Sequence, residues 1–244
     1  MRVPLCCPPL PSLAQPSHLD KHLLFGQIGL WEVGADNFPS KKGVIVMAGK
    51  FLELAFTNSV RTAQECYYGG SQSVDGAPER DALTEDETAF IQSRDSFYMA
   101  TVTEANWPYV QHRGGKPGFL RVLDPRTLSF ADYQGNRQLL STGNVATNDR
   151  VALFLMDYPQ RTRLKLLGHA RVVDARQHPE LVAQLAEPEV RRLVERLFFI
   201  DIVSYDWNCP KYITPRYTAA EVEVAVAPLR KRIAELESQL KKMP

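Results

Sequence analysis

The sequence predicts a mainly β protein, a β-barrel of six or more antiparallel strands with peripheral helices and a C-terminal heptad-like helix. Short β-rich segments separated by turn residues follow one another between residues 97 and 205. A βαβ sheet needs a crossover helix between successive strands, but few helical segments separate these strands. The pattern therefore favours a barrel over a βαβ sheet. With 244 residues, 44% of them hydrophobic, the chain can bury a core of its own.

Composition and charge exclude several function classes. The formal net charge is +1, from 29 Lys+Arg against 28 Asp+Glu, so the overall field attracts neither nucleic acid nor an anionic membrane. The chain shows no basic stripe with interleaved aromatics and no run of about 18 apolar residues, so we expect neither partner. The four cysteines lack C-x-x-C spacing, which predicts no metal site and favours a reducing, cytoplasmic compartment.

The first part of the chain differs from the rest. Residues 1–46 are proline-rich and irregular, and Met47 opens a more regular stretch. Two hypotheses stay open: residues 1–46 are an upstream extension before a true start at Met47, or they are a disordered tail. Residues 47–83 form an N-terminal arm that ends in a linker over 69–82, which is rich in glycine and polar residues.

The barrel elements follow from local patterns. Thr84 and Glu87 form a capping-box pair, which predicts a helix from Thr84 to Ser93. Gly168 near the middle of the longest strand predicts a bulge or bend. We predict further helices over 138–147 and 178–196, and strands over 97–103, 109–113, 118–123, 127–133, 150–157, 162–174 and 198–205.

The end of the chain, residues 219–244, predicts a helix with an apolar seam. Seam residues step by 4, 3, 4, 3 and 4 positions, an a/d pattern over about three heptads: Val222, Val226, Leu229, Ile233, Leu236 and Leu240. Pro228 interrupts this stretch, so the helix starts or kinks there. Self-pairing of the seam in a dimer and packing onto the chain's own barrel are both compatible with the pattern.

A Gly-Asn-Arg turn after the fourth strand is the first candidate ligand site. Gly135 permits a sharp turn, and the helix that follows presents free N–H groups that suit a phosphate. Arg137 adds a charged fork beside Asn136. The alternative is an ordinary turn with a solvated arginine.

Two strands carry further candidate groups. Gln111, His112 and Arg113 are hydrogen-bond donors next to paired glycines, where a flat ligand can approach the backbone; His112 alone is more often structural. On a later strand Arg163 and Lys165 share one face with Arg161, and these cations either meet an anion or are solvated.

The loop over 206–216 combines aromatic, polar and rigid residues. Trp207 and Tyr212 suit stacking on a planar ring, and two prolines stiffen the segment. Cys209 has no adjacent base, so it is not predicted to be a nucleophile. The alternative is a packed connector to the final helix.

In their order along the chain, these segments resemble the pyridoxamine 5'-phosphate oxidase-like FMN-binding split-barrel family. The resemblance covers about residues 84–218 and is closest to the uncharacterised flavin-nucleotide-binding branch. The stretches that carry it are His112-Arg-Gly-Gly115, Gly135-Asn-Arg137, Ser141-Thr-Gly-Asn144, Arg163-Leu-Lys-Leu-Leu-Gly168 and Asp206-Trp-Asn-Cys-Pro210.

The resemblance implies a split β-barrel that acts as a homodimer, with two FMN sites at the subunit interface and a small-molecule substrate. The strand 111–113 would run beside the isoalloxazine, and the loop 207–210 would cover the flavin across the dimer. The FMN-binding residues implied are Gln111, His112, Arg113, Gly114, Tyr133, Gly135, Asn136, Arg137, Gln138, Arg163, Lys165, Trp207, Asn208 and Cys209.

Departures from the oxidase pattern bear on the activity. The Ser and one basic residue of its phosphate motif are missing over 133–137, so Arg137 and backbone amides must hold the phosphate. Arg163 stands where a flavin-contacting Gln is expected, and Lys165 stands where an Arg is expected. The signature that grips the oxidase's substrate has no clear match beyond Arg216, so pyridoxamine phosphate oxidation is not predicted.

The resemblance therefore implies an FMN-dependent oxidoreductase with an unknown small substrate and no assigned catalytic residue. A non-catalytic flavin or haem binding module is the alternative. A third is an interaction protein that works through the C-terminal seam.

Overall fold

A computed structural model describes residues 49–207 and 210–241, so the hypotheses on residues 1–46 and Met47 lie outside the described residues. The helices are α1 Gly49–Ala55, α2 Asn58–Tyr68, α3 Glu85–Gln92, α4 Leu140–Thr147, α5 Pro179–Leu185 and α6 Ala219–Leu240. The strands are β1 Ser96–Val102, β2 Pro108–Gly114, β3 Arg121–Asp124, β4 Thr127–Tyr133, β5 Arg150–Asp157, β6 Thr162–Asp174 and β7 Val194–Trp207.

The seven strands form one antiparallel sheet in the order β2-β1-β5-β6-β7-β4-β3. This confirms the predicted mainly β fold. β1 and β4 lie in opposite halves of that order, yet the rings of Phe97 and Phe130 are only 5.4 Å apart. The sheet therefore curls over its own core, and the edge strand β2 comes to lie near β4 without pairing with it. We call the gap between β2 and β4 the split.

The core fills the inside of the curled sheet. Phe130 and Phe198 stack with ring centroids 4.9 Å apart, and both side chains are buried. A second, smaller cluster lies on the other side of β4 and β7, where α5 covers Leu197 and Phe199. β7 is therefore buried on both faces along its middle, which explains its continuous apolar run of Leu197–Ile200.

The helix α3 begins as predicted, with a complete capping box. Glu87 accepts hydrogen bonds from the Thr84 backbone N–H at 2.9 Å and from Trp207 Nε1 at 2.6 Å. Burial raises the pKa of Glu87, but the hydrogen bonds from Thr84 and Trp207 outweigh it and hold that pKa below its ordinary value. The Trp207 ring also meets Phe90 edge-on at 4.8 Å, so this indole packs on α3.

Gly168 lies at the predicted irregularity in β6. The register between β6 and β7 shifts between Leu167 and Gly168. A Cβ atom at position 168 would lie 2.7 Å from the carbonyl oxygen of Asp201, so the neighbouring backbone leaves no room for any other residue.

The predicted helix over 178–196 is wrong in its second half. The structure ends α5 at Leu185, adds a short 3₁₀ turn over Arg191–Leu193, and begins β7 at Val194 rather than at residue 198. Pro188 supplies the reason, because a proline pushes the residue before it out of helical backbone geometry.

The last helix, α6, runs unbroken from Ala219 to Leu240 with Pro228 inside it, and a Thr218–Glu221 capping box starts it. α2 lies in a compact unit separate from the barrel. Cys66 on α2 is disulfide-bonded. A disulfide does not support the reducing compartment that the cysteine spacing predicted. No helix within the described residues is both long and apolar enough to cross a membrane.

Candidate functional site

A cavity of about 230 Å³ lies in the split, and we call it the split cavity. β2 contributes alternate residues to its wall, the end of β4 and the loop after it form its floor, and the start of α4 closes one side. The lining residues are Tyr109, Gln111, Arg113, Asp132, Tyr133, Gly135, Asn136, Arg137, Gln138, Leu139, Leu140, Ser141, Thr142 and Arg196.

The split cavity brings together half of the residues that the resemblance implied for FMN. These are Gln111, Arg113, Tyr133, Gly135, Asn136, Arg137 and Gln138. They come from β2, from the end of β4 and from the loop that follows β4; since β2 and β4 are not neighbours in the sheet, the curling of the barrel assembles the group.

Charge in the split cavity is dominated by arginine. Asp132 is buried and forms ion pairs with Arg113 and with Arg196, whose Nε lies 2.7 Å from Asp132 Oδ2. Arg137 adds a third guanidinium to the lining against this one carboxylate. The lining therefore carries an excess of positive charge, which suits an anionic ligand.

Arg113 is held rigidly but keeps one donor without a partner. Its guanidinium lies 5.5 Å from the Phe130 ring centroid and 5.3 Å from that of Phe198. Its buried Nε has no hydrogen-bond partner among the described residues. A buried donor without a partner is costly, and a ligand acceptor in the split cavity would remove that cost.

The start of α4 offers further donors. Leu139, the N-cap residue, has a left-handed φ of 54° and provides no side-chain cap. The first-turn N–H groups of α4 thus lack a capping side chain, and Leu140, Ser141 and Thr142 line the split cavity. A helix N-terminus of this kind, with Arg137 beside it, is suited to hold a phosphate group.

Side-chain hydrogen bonds fix the walls of the split cavity. Ser141 Oγ donates to Gln111 Oε1 at 2.7 Å and ties α4 to β2. Asn136 Oδ1 accepts from the Gln138 backbone N–H at 3.1 Å and shapes the turn. Burial raises the pKa of Tyr133 and Glu187 raises it further, against a smaller lowering by Arg121, so the phenol stays protonated and can donate.

Four other implied residues lie on the opposite face of the sheet: His112, Gly114, Arg163 and Lys165. Strand pairing puts His112 opposite Tyr98, Tyr98 opposite Phe154, and Phe154 opposite Lys165, so these four side chains form one row across four strands. We call this the outer row. Because side chains alternate along β2, His112 points away from the split cavity that Gln111 and Arg113 line, and Gly114 lies at a strand position that faces the same way as His112.

The two cations near the outer row differ in the interactions that they already make. Lys165 Nζ lies 2.6 Å from Asp206 Oδ2 and 4.4 Å from the Phe51 ring centroid, so its charge is already partnered. Arg163 lies 5.7 Å from the Phe154 ring centroid, and its buried Nε has no hydrogen-bond partner among the described residues. Arg163 is therefore the cation of this face with donor capacity left for a ligand.

The remaining implied residues lie elsewhere. Trp207 packs on α3 and does not line the split cavity. Asn208 and Cys209 lie outside the described residues. Over residues 49–207 and 210–241, no group of three or more metal-ligating side chains could hold a metal ion.

Several lining residues were not predicted as site residues. Asp132 and Arg196 are the most important, because they carry the ion-pair network of the split cavity. A signal was present for Asp132, which is a single charge within an otherwise apolar strand segment, whereas Arg196 follows other charged residues and gave no such signal. Tyr109 and Thr142 gave no comparable signal.

Comparison with known proteins relates this barrel to a protein family. The model of the pyridoxamine 5'-phosphate oxidase family matches residues 83–198, which include α3 and every lining residue of the split cavity. Residues 83–198 belong to the pyridoxamine 5'-phosphate oxidase-like family. No curated protein is matched by the sequence.

Solved structures show similarity at low identity. A protein from Lactobacillus delbrueckii, provisionally assigned as a pyridoxamine 5'-phosphate oxidase, is 23% identical with a TM-score of 0.41, over 51% of this chain and 93% of that chain. HupZ from Group A Streptococcus is 13% identical with a TM-score of 0.39, over 50% and 91%. HutZ, the haem storage protein from Vibrio cholerae, is 17% identical with a TM-score of 0.37, over 52% and 94%.

Proposed function

We propose that this pyridoxamine 5'-phosphate oxidase-like chain binds FMN in the split cavity and serves as an oxidoreductase for a small molecule. The observation that carries the proposal is the excess of arginine around the uncapped start of α4, together with the buried, unpartnered Nε of Arg113. These groups fit a phosphate and a polar ring edge.

In this proposal, residues at different positions in the split cavity bind different parts of FMN. Arg137 and the first-turn N–H groups of α4 hold the phosphate. Gln111, Arg113 and the protonated Tyr133 donate toward polar atoms of the ligand. Bound FMN supplies hydride transfer, while the protein binds it, orients it and sets the charge around it.

Absorption spectroscopy on the full chain tests this function. Flavin bands that stay with the protein after FMN addition and gel filtration support the binding site, and a colourless protein overturns it. Bleaching of those bands by NAD(P)H supports an oxidoreductase. Retention without bleaching by any tested reductant favours the alternative, a binding module, and a Soret band after haem addition identifies haem as its ligand.

Substitution of Arg137 by alanine is expected to weaken FMN binding about 10- to 100-fold, because one charge-assisted contact to phosphate is worth about 1.5–3 kcal/mol. Titration monitored by flavin fluorescence measures the dissociation constant. Arg150→Ala is the matched control, since Arg150 is also exposed but does not line the split cavity. Equal affinities of the two variants would place the phosphate elsewhere.

The predicted FMN-binding residues lie on both faces of the sheet, which favours a site shared between two subunits. Gln111 and Arg113 lie on one face, while His112 and Lys165 lie in the outer row on the other, so one ligand cannot touch both sets within a single protomer. We propose a homodimer in which the outer row of one subunit faces the split cavity of its partner. This arrangement lets Arg163 reach the same FMN as Arg137.

Mixed dimers test this arrangement directly. When Arg137→Ala subunits are paired with Arg163→Ala subunits, one of the two sites in each mixed dimer carries no substitution. We expect these dimers to bind one FMN per dimer with the affinity of the unmodified protein, measured by titration of tag-purified mixtures. Pairing the double variant with the unmodified chain is the reciprocal control, and there both sites should be weakened. The opposite pattern would assign both arginines to one subunit.

A further inference from the structure

The helix α6 presents an apolar stripe that no described residue of its own chain buries. Leu229, Ile233 and Leu236 are 61%, 56% and 42% exposed. The helix spans 22 residues, and none of them is buried. An exposed apolar stripe of this length on a folded helix is typical of a surface that binds another protein surface.

The heptad positions of the stripe specify the kind of partner. In the central heptads Val226 and Ile233 occupy a positions, and Leu229 and Leu236 occupy d positions. At the two ends of the seam the types are exchanged, with Val222 at d and Leu240 at a. β-Branched residues at a with leucine at d favour a parallel two-stranded coiled coil. Pro228 falls at a c position, so its ring does not enter the seam.

The charges beside the stripe select one orientation. In a parallel pair, the g residue Arg232 faces the e residue Glu237 of the other helix, and symmetry repeats this attraction. In a fully overlapping antiparallel pair, Arg230 would face Arg230, Arg232 would face Arg232, and Glu223 would face Glu237. All three contacts are repulsive, so the pattern opposes the antiparallel form.

We infer that α6 is a dimerisation helix that pairs with α6 of a second copy of this chain as a parallel two-stranded coiled coil. The two copies share a twofold axis along the seam, which suits a closed homodimer. About three heptads are marginal for an isolated coil. A second contact between the barrels would raise the effective concentration of the helices. The inference rests on α6 alone and does not depend on FMN.

Hydrogen exchange of the full chain, read at residues 219–241, tests the pairing. Backbone amides of α6 are expected to exchange at least 10-fold more slowly in the unmodified protein than in the seam variant Leu229→Gln/Leu236→Gln. Ala234→Gln/Ser238→Gln is the matched control, because positions 234 and 238 face away from the seam. Equal exchange in the seam variant and the control would overturn the inference, even if the barrels still dimerise.

A charge exchange tests the orientation. Glu237→Arg creates an Arg–Arg contact in the parallel coil, so protection should fall about threefold to tenfold, and adding Arg232→Glu should restore it. In the antiparallel form Glu237→Arg would instead relieve a repulsion and increase protection. Sedimentation adds the last distinction: protection of α6 in a monomer, independent of concentration, would mean packing on the chain's own barrel and would overturn the proposal.

Discussion

Replacement of Asp132 by asparagine is expected to lower the free energy of unfolding by about 3 kcal/mol, because it leaves Arg113 without its counter-charge and leaves Arg196 with only the more exposed Glu195, at 2.9 Å. Removal of one partner from a buried ion pair costs about 3–5 kcal/mol. The low end applies here, since the side chains of Arg113 and Arg196 remain 14% and 16% exposed and keep some hydration. Chemical denaturation of the two proteins measures the difference.

A matched control separates this network from an ordinary surface pair. Glu187 pairs with Arg121 at 2.9 Å, but both side chains are about half exposed. Glu187→Gln is therefore expected to cost less than about 1 kcal/mol. A cost for Asp132→Asn as small as that of the control would show that water already solvates the arginines of the split cavity.

The same variant links stability to ligand binding. With Asp132 neutralised, the arginines of the split cavity attract an anion more strongly than before. Millimolar inorganic phosphate should therefore return part of the lost stability to Asp132→Asn and leave the Glu187→Gln variant unchanged. An equal response of both variants would mean that phosphate acts on the protein in general rather than at this site.

The strands were predictable because each carries a strong local pattern. β4, β5 and β6 begin and end where alternation or an apolar run meets a turn. The start of β7 was not predictable in the same way. α5 covers the second face of Leu197–Ile200, so the strand is apolar on both sides and its alternation disappears. Its first residues then share the charged, mixed pattern of the helix that precedes them.

The candidate site was predictable in part, for a different reason. Gly135, Asn136 and Arg137 are contiguous, so a local turn reveals them. Asp132 and Arg196 meet only because β4 pairs with β7, and Arg113 joins them only because the sheet curls. The prediction grouped Gln111, His112 and Arg113 beside one flat ligand, but side chains alternate along β2, so one protomer cannot place all of these donors around one ligand.

Replacement of Phe198 by alanine is expected to lower the free energy of unfolding by about 3–5 kcal/mol. Phe198 is fully buried and stacks on Phe130 with ring centroids 4.9 Å apart, so truncation removes the aromatic contact and leaves a cavity. Chemical denaturation measures the loss. Phe198→Leu, which keeps an apolar side chain in most of the space, is expected to cost about 1–2 kcal/mol.

This substitution is also expected to affect the split cavity, because Phe198 contacts one of its lining residues from the core. The guanidinium of Arg113 lies 5.3 Å from the Phe198 ring centroid, so the ring is one of the two faces that hold this arginine in place. If Arg113 binds FMN, Phe198→Ala should weaken FMN affinity even at temperatures where the variant is fully folded, while Phe198→Leu should weaken it nearly as much despite its smaller loss of stability. Affinity that follows stability across the two variants, rather than loss of the ring, would show that Phe198 acts through the fold alone.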